Sequence, residues 1–184
     1  GEPALADCAW RHQRDLVVSE LAGRSCPLAY RHGAEALARL PAVTAETLYV
    51  VGGLYGNLPA LDTIEAMAAG EPGPVSIVFN GDFNWFNVDD AGFAEINRRV
   101  LAHQATLGNV EAELGATGDA AGCGCAYPEH VEGAVVERSN RIHARLKATA
   151  ARHPALLERL VALPMVARYA VGDCRIGIVH GDAD

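Results

Sequence analysis

Residues 48–67, LYVVGGLYGNLPALDTIEAM, restrict the folds open to this chain more than any other stretch. The apolar run Leu48-Tyr49-Val50-Val51 reads as a buried strand. Gly52, Gly53 and Gly56 follow as a tight turn. Pro59 then stands where the first turn of a helix tolerates a residue without an N–H. Leu61, Ile64 and Met67 recur at helical spacing and predict a helix with one apolar face. Strand, glycine loop and helix together predict an α/β protein. In such proteins ligands bind beyond the carboxyl ends of the strands. A dinucleotide loop is one reading of the glycines, but their spacing departs from G-x-G-x-x-G.

A second reading draws on more of the chain. Residues 48–67 resemble the first signature block of calcineurin-like metallophosphoesterases: a strand, Asp-x-His-Gly-Asn, then a helix containing Ala-Leu. Gly56-Asn57 and Ala60-Leu61 match, whereas Gly53 stands at the Asp position and Tyr55 at the His position. A predicted strand over 75–79 runs into Asn80-Gly81-Asp82. That Gly-Asp resembles the second block, whose carboxylate can bridge two cations roughly 3.5–4 Å apart. Asn84 is a further candidate oxygen donor, and Trp85 and Phe86 either pack or wall a pocket. Gly108-Asn109-Val110-Glu111 resembles the third block, Gly-Asn-His-Asp/Glu, with Val110 in place of the histidine that assists catalysis. A strand over 175–179 ends in His180-Gly181-Asp182, similar to the fourth block, whose His ligates the second metal.

The resemblance implies a metallophosphoesterase-like four-layer α/β/β/α sandwich, with mixed sheets flanked by helices. It implies a single domain over 1–184, with 1–47 as an N-terminal extension and 48–184 as the core. The family's last block, Gly-His-x-His, is expected beyond Asp184, so the C-terminal part of such a domain is expected to be missing. Gly1 in place of Met reads as a trimmed start.

The implied activity is hydrolysis of a phosphate mono- or diester at an altered metal site. The implied metal ligands are Asp82, Asn109 and His180, and the candidate phosphate or pocket contacts are Gly53, Tyr55, Asn57 and Asn84. Gly53 offers no side chain, and the Tyr55 phenol stays protonated near neutrality. At most one weakly held divalent cation (Mn, Zn or Fe) is therefore expected. The alternative is a degenerate member that binds a phosphorylated ligand or a protein partner without turnover, with backbone N–H groups of Gly52, Gly53 and Gly56 facing the phosphate. A dinucleotide-binding oxidoreductase domain leaves Gly81-Asp82, Gly108-Asn109 and His180 unexplained.

Composition sets the remaining bounds. A net charge of −8 argues against non-specific nucleic-acid binding, which needs a basic surface. No apolar run approaches the roughly 18 residues of a membrane helix, so a membrane partner is not expected; the partner that the resemblance implies is a small phosphorylated molecule. Cys8, Cys26, Cys123, Cys125 and Cys174 are an odd, scattered set, which predicts free thiols and a cytoplasmic location. Cys123-Gly124-Cys125, with His130, is a weak candidate for a soft metal or a redox role and otherwise an ordinary flexible loop.

Helices are expected over 11–21, 34–40, 91–102, 131–152 and 155–162, and paired strands over 165–170 and 175–179. Cys26-Pro27-Leu28 breaks the first of these helices. Phe93, Ile96, Val100 and Leu101 mark the inner face of the helix over 91–102, with Asn97 elsewhere. Val135, Ile142 and Leu146 mark that of 131–152, with His143 and His153 on or near the solvated side. His12 and His32 read as exposed polar residues.

Overall fold

A computed structural model describes residues 22–25, 34–118 and 121–181. The helix expected over 11–21, the break at 26–28, His12, His32, Cys8 and Asp182 lie outside the described residues. Helix α1 spans Ala34–Arg39, and β1 (Val43–Thr44) and β2 (Thr47–Val51) follow. Then come α2 (Leu58–Ala69), β3 (Val75–Asn80), α3 (Asp90–Val100), β4 (Gln104–Thr106) and α4 (Asn109–Gly115). The chain continues through α5 (Gly133–Ala150), α6 (Pro154–Val161), β5 (Val166–Val171) and β6 (Cys174–Val179). The result is a mixed α/β fold with two small sheets flanked by helices. Among the described residues no helix is long and apolar enough to cross a membrane.

The first sheet has the order β2-β3-β4 and is parallel throughout. Val51 pairs with Phe79 and Asn80 with Thr106, so three carboxyl ends open on one edge. The second sheet has the order β1-β5-β6, with β5 and β6 forming an antiparallel hairpin. Gly172 takes φ 53° in its turn, a backbone region that glycine enters without steric penalty.

Side chains alternate along β3, as a strand period of two requires. Ile77 and Phe79 enter a core with Phe93, Ile96, Val100 and Leu146, whereas Val78 packs with Tyr169 and Ile178 of the second sheet. Leu48 of β2 joins the Val78 cluster, while Tyr49 and Val51 join the helical one. The first sheet is thus covered by helices on one face and by the second sheet on the other. Arg168 of β5 donates to the carbonyls of Ala38 and Leu40, which ties the second sheet to α1.

Three helical faces differ from the sequence expectation. In α5 the buried residues are Val136, Ser139, His143, Leu146, Thr149 and Ala150. Val135 is 46% exposed and His143 is buried, so the buried face is rotated by one residue at its N-terminal end. His143 stacks on Trp85, an apolar surface that the helical period alone did not reveal. Met67 of α2 is 57% exposed, and Ala68 beside it packs against the core together with Leu61 and Ile64. Asn97 of α3 is fully buried, since its amide bonds to Asn84 and to the Phe93 carbonyl.

The rotated face of α5 gives a direct test. Val136→Ala is expected to cost about 2 kcal/mol, from lost burial and a residual void. Val135→Ala is expected to stay within about 0.5 kcal/mol. Urea midpoints of the two variants check this, and equal losses would contradict the assigned face.

Candidate functional site

Asp82 stands one residue beyond the Gly81 turn that follows β3, with φ 54°. Its Oδ1 accepts from the Val110 N–H at 3.1 Å. Its own N–H donates to Glu111 Oε2 at 2.8 Å. Glu111 is fully buried, and its Oε1 accepts from the Asn84 N–H at 3.1 Å and the Asn84 Nδ2 at 3.3 Å. Glu111 therefore fixes the loop that aims Asp82. Burial, then the neighbouring Asp82 carboxylate, push Glu111 up to about 7 against the pull of these N–H donors. Burial also raises Asp82, partly offset by His180 and by the Val110 N–H. The sequence carried Glu111 only as the last residue of the third block and showed nothing of this positioning role.

Asn109 opens α4. Its Nδ2 donates to the Cys123 carbonyl at 3.2 Å, which turns its Oδ1 toward His180. His180 follows β6 and its Nδ1 lies 2.8 Å from the Asn80 carbonyl. A carbonyl only accepts, so Nδ1 carries a proton and donates. The Nε2 atom then faces Asn109 Oδ1 at 3.1 Å and Asp82 Oδ2 at 3.5 Å. In a neutral imidazole with this tautomer, Nε2 has a lone pair and no proton. Nε2, Asn109 Oδ1 and Asp82 Oδ2 thus meet, a set that a shared proton or a cation would bridge. One carboxylate, one amide oxygen and one imidazole form a mixed O/N donor set suited to Mn²⁺, Zn²⁺ or Fe²⁺. Three protein donors leave other coordination positions open. Among the described residues no group of three His, Cys, Asp or Glu side chains could hold a metal, and here the third donor is an amide.

The remaining candidates have different placements. Tyr55 has φ 53°, and its ring lies over Gly53, so that a Cβ on Gly53 would collide with the ring edge. Gly53 and Tyr55 are therefore sterically matched to each other. Asn57 caps α2, accepting from the Ala60 N–H at 3.0 Å. The Gly56 N–H donates to the Phe83 carbonyl at 2.8 Å, so it is committed within the fold rather than directed to a phosphate. Asn84 is fully buried, its amide shared among Asn87, Asn97 and Glu111. The structure thus brings Asp82, Asn109 and His180 together, and places Asn57 in a helix cap and Asn84 in a buried hydrogen-bond network.

A cavity of about 380 Å³ opens beside Asp82 and Asn109. Tyr55, Trp85, Phe86 and Tyr127 supply aromatic walls, and Val110 and Cys125 complete the lining. Among the described residues the non-glycine positions with positive φ are Tyr55, Asp82, Phe86 and Ala126. Three of them line this cavity and Ala126 lies between two lining residues. Such conformations cost energy and concentrate at functional sites.

No family model, curated protein or solved structure matches this chain. The site is therefore read from its own chemistry.

The expectation of free thiols is corrected at one place. Cys123 and Cys125 form a disulfide across Gly124, with Cα atoms 5.3 Å apart. The turn brings the two sulfurs together because Gly124 adopts φ 62°, which the sequence spacing alone did not reveal. Asn140 of α5 secures the loop, accepting from the Cys123 N–H at 3.1 Å and donating to the Ala22 carbonyl at 2.9 Å. Cys174 is a free, exposed thiol.

Proposed function

We propose that this chain is a metallophosphoesterase-like protein that holds one divalent cation and acts on a phosphate mono- or diester. The observation that carries the reading is the convergence of His180 Nε2 on Asn109 Oδ1 and Asp82 Oδ2. Two small sheets flanked by helices support a four-layer α/β/β/α sandwich as the architecture. Asp82, Asn109 and His180 would hold the cation. When bound, the cation would supply Lewis acidity toward a phosphoryl oxygen.

The chain's own residues do the positioning. The Asn80 carbonyl holds the proton on His180 Nδ1, which reserves Nε2 for the site. The Cys123 carbonyl holds the Asn109 amide, and the Val110 N–H holds Asp82 Oδ1. Hydrolysis would join a water oxygen to phosphorus and break the bond to the ester oxygen, which leaves as an alcohol carrying the second water proton. Val110 cannot donate that proton, and a positioned donor is typically worth roughly 10²–10⁴ in rate. Turnover is accordingly slow. A second reading, binding a phosphorylated ligand without turnover, draws on Gly53, Tyr55 and Val110, which leave the first metal without its ligands and the leaving group without its acid.

The test is metal content after equilibration with Mn²⁺ or Zn²⁺, followed by binding of inorganic phosphate and turnover of an aryl phosphodiester. One equivalent of metal is expected in the native chain. Asp82→Asn and His180→Ala are each expected to weaken metal binding at least about tenfold, as loss of a ligand should exceed loss of a supporting contact. No metal, or two tightly held metals with brisk turnover, would contradict the proposal.

A further inference from the structure

We infer that the cavity selects phosphate esters whose alcohol portion carries a flat aromatic or heteroaromatic ring; this rests on the phosphate-site reading above. Asp82 and Asn109 lie in the same cavity lining as Tyr55, Trp85, Phe86 and Tyr127. A ligand whose phosphate is held by a cation at Asp82 and Asn109 would project its alcohol portion among these four aromatic side chains. Packing accounts for Trp85, which belongs to the core and is 8% exposed. It does not account for Tyr55 and Phe86, which are 49% and 55% exposed.

These two rings meet edge to face, with centroids 6.5 Å apart. Phe86 also lies 5.4 Å from the Trp85 ring, tilted against it. Both Tyr55 and Phe86 adopt left-handed backbone conformations, with φ 53° and 67°. The chain accepts backbone strain at two bulky residues and leaves their apolar rings in solvent. A flat ring entering the cavity would cover that exposed surface and stack or meet the rings edge-on. A volume of about 380 Å³ lies within the range of small-molecule sites, roughly 300–1,000 Å³. Another depression among the described residues, about 480 Å³ and lined in part by Glu65, Arg98, Arg99 and His103, has no comparable aromatic wall. In it Arg99 is already paired with Asp62 and Glu65.

The experiment is calorimetry of the Mn²⁺-loaded protein with four probes: inorganic phosphate, glycerol 2-phosphate, p-nitrophenyl phosphate and adenosine monophosphate. The native chain is expected to bind at least one aromatic ester roughly five- to a hundredfold more tightly than glycerol 2-phosphate, the range aromatic stacking supplies. The two aromatic probes separate a simple aryl ester from a nucleotide. Phe86→Leu and Tyr55→Leu, which keep bulk and remove a ring, are expected to lower that ratio. A ratio near one in the native chain, with inorganic phosphate still binding, overturns the ring preference and leaves the phosphate site standing. A ratio unchanged in both variants removes these rings as its source and overturns the assignment. Failure of inorganic phosphate to bind with Mn²⁺ present overturns both readings.

Discussion

Glu111→Ala is expected to lower the stability of the fold by about 3–5 kcal/mol, the usual consequence of removing one partner from a buried charged network. The change strips acceptors from the Asp82 N–H, the Asn84 N–H and the Asn84 amide at a fully buried position. Glu111→Gln retains the shape and one acceptor oxygen, and a smaller loss is expected. The carboxyl also gives the metal-free protein a definite pH response. It moves from 4.5 in the unfolded chain to about 7 in the fold. Between these values the folded state holds a proton that the unfolded state has released. Stability from this group is therefore complete below about pH 4.5 and is lost as pH rises through about 7, on the order of 3 kcal/mol in all. Asp82, shifted in the same direction by burial, adds to the same trend. Urea midpoints from pH 5 to 8, in protein stripped with chelator, should fall with pH in the native chain and flatten in Glu111→Gln. A rise over that window would contradict the assignment.

The second large effect concerns the loop after β2. The replacement Gly53→Asp together with Tyr55→His is expected to raise divalent-cation affinity at least about tenfold, and with it phosphodiester turnover. It returns a carboxylate and an imidazole to a loop bonded directly to the Asp82 strand end, through Tyr55 N–H to the Asp82 carbonyl at 3.3 Å. Anionic and imidazole ligands offset the dehydration of a divalent ion, whereas glycine and a protonated phenol do not. The single change Gly53→Asp should behave differently. Its Cβ meets the Tyr55 ring, which must swing aside, so the single variant should gain little affinity. Metal content by mass spectrometry across native, single and double variants checks this. Equal gains in the single and double variants would show that the Tyr55 ring is no obstacle.

The parts of this molecule legible in the sequence are those governed by local rules. Pro59, Leu61 and Ile64 announced α2, and the apolar runs announced β2 and β3. Gly81-Asp82 and His180 were visible because each follows a strand. The meeting of Asp82, Asn109 and His180 was expected only through the family resemblance, and no periodicity could have given its distances. Glu111, Asn84 and Asn97 were misread or passed over for one reason. A buried polar network depends on partners 13 to 29 residues away, and polar residues in isolation look solvated. His143 was placed outside for the same reason, since its stacking partner Trp85 lies on another segment. Tyr127 gave no signal and Cys125 was read only as part of its Cys-Gly-Cys loop, as only the fold carries both to the cavity.

The Asn80 side chain, at the end of β3, donates to the Val179 carbonyl at the end of β6 and accepts from Thr106 of β4. Its own carbonyl receives the His180 ring. These links span 99 and 100 residues of chain. Contacts of such sequence separation close only after large loops have been ordered, so they form late in folding. An early folding species with β2, α2 and β3 already in place would hold Asp82 but lack the imidazole. Because any ligand that needs all three donors recognises only the finished arrangement, its binding would slow unfolding more than it speeds folding. A stopped-flow comparison of the two rates, with and without Mn²⁺, would read the order of assembly directly from the donor that arrives last.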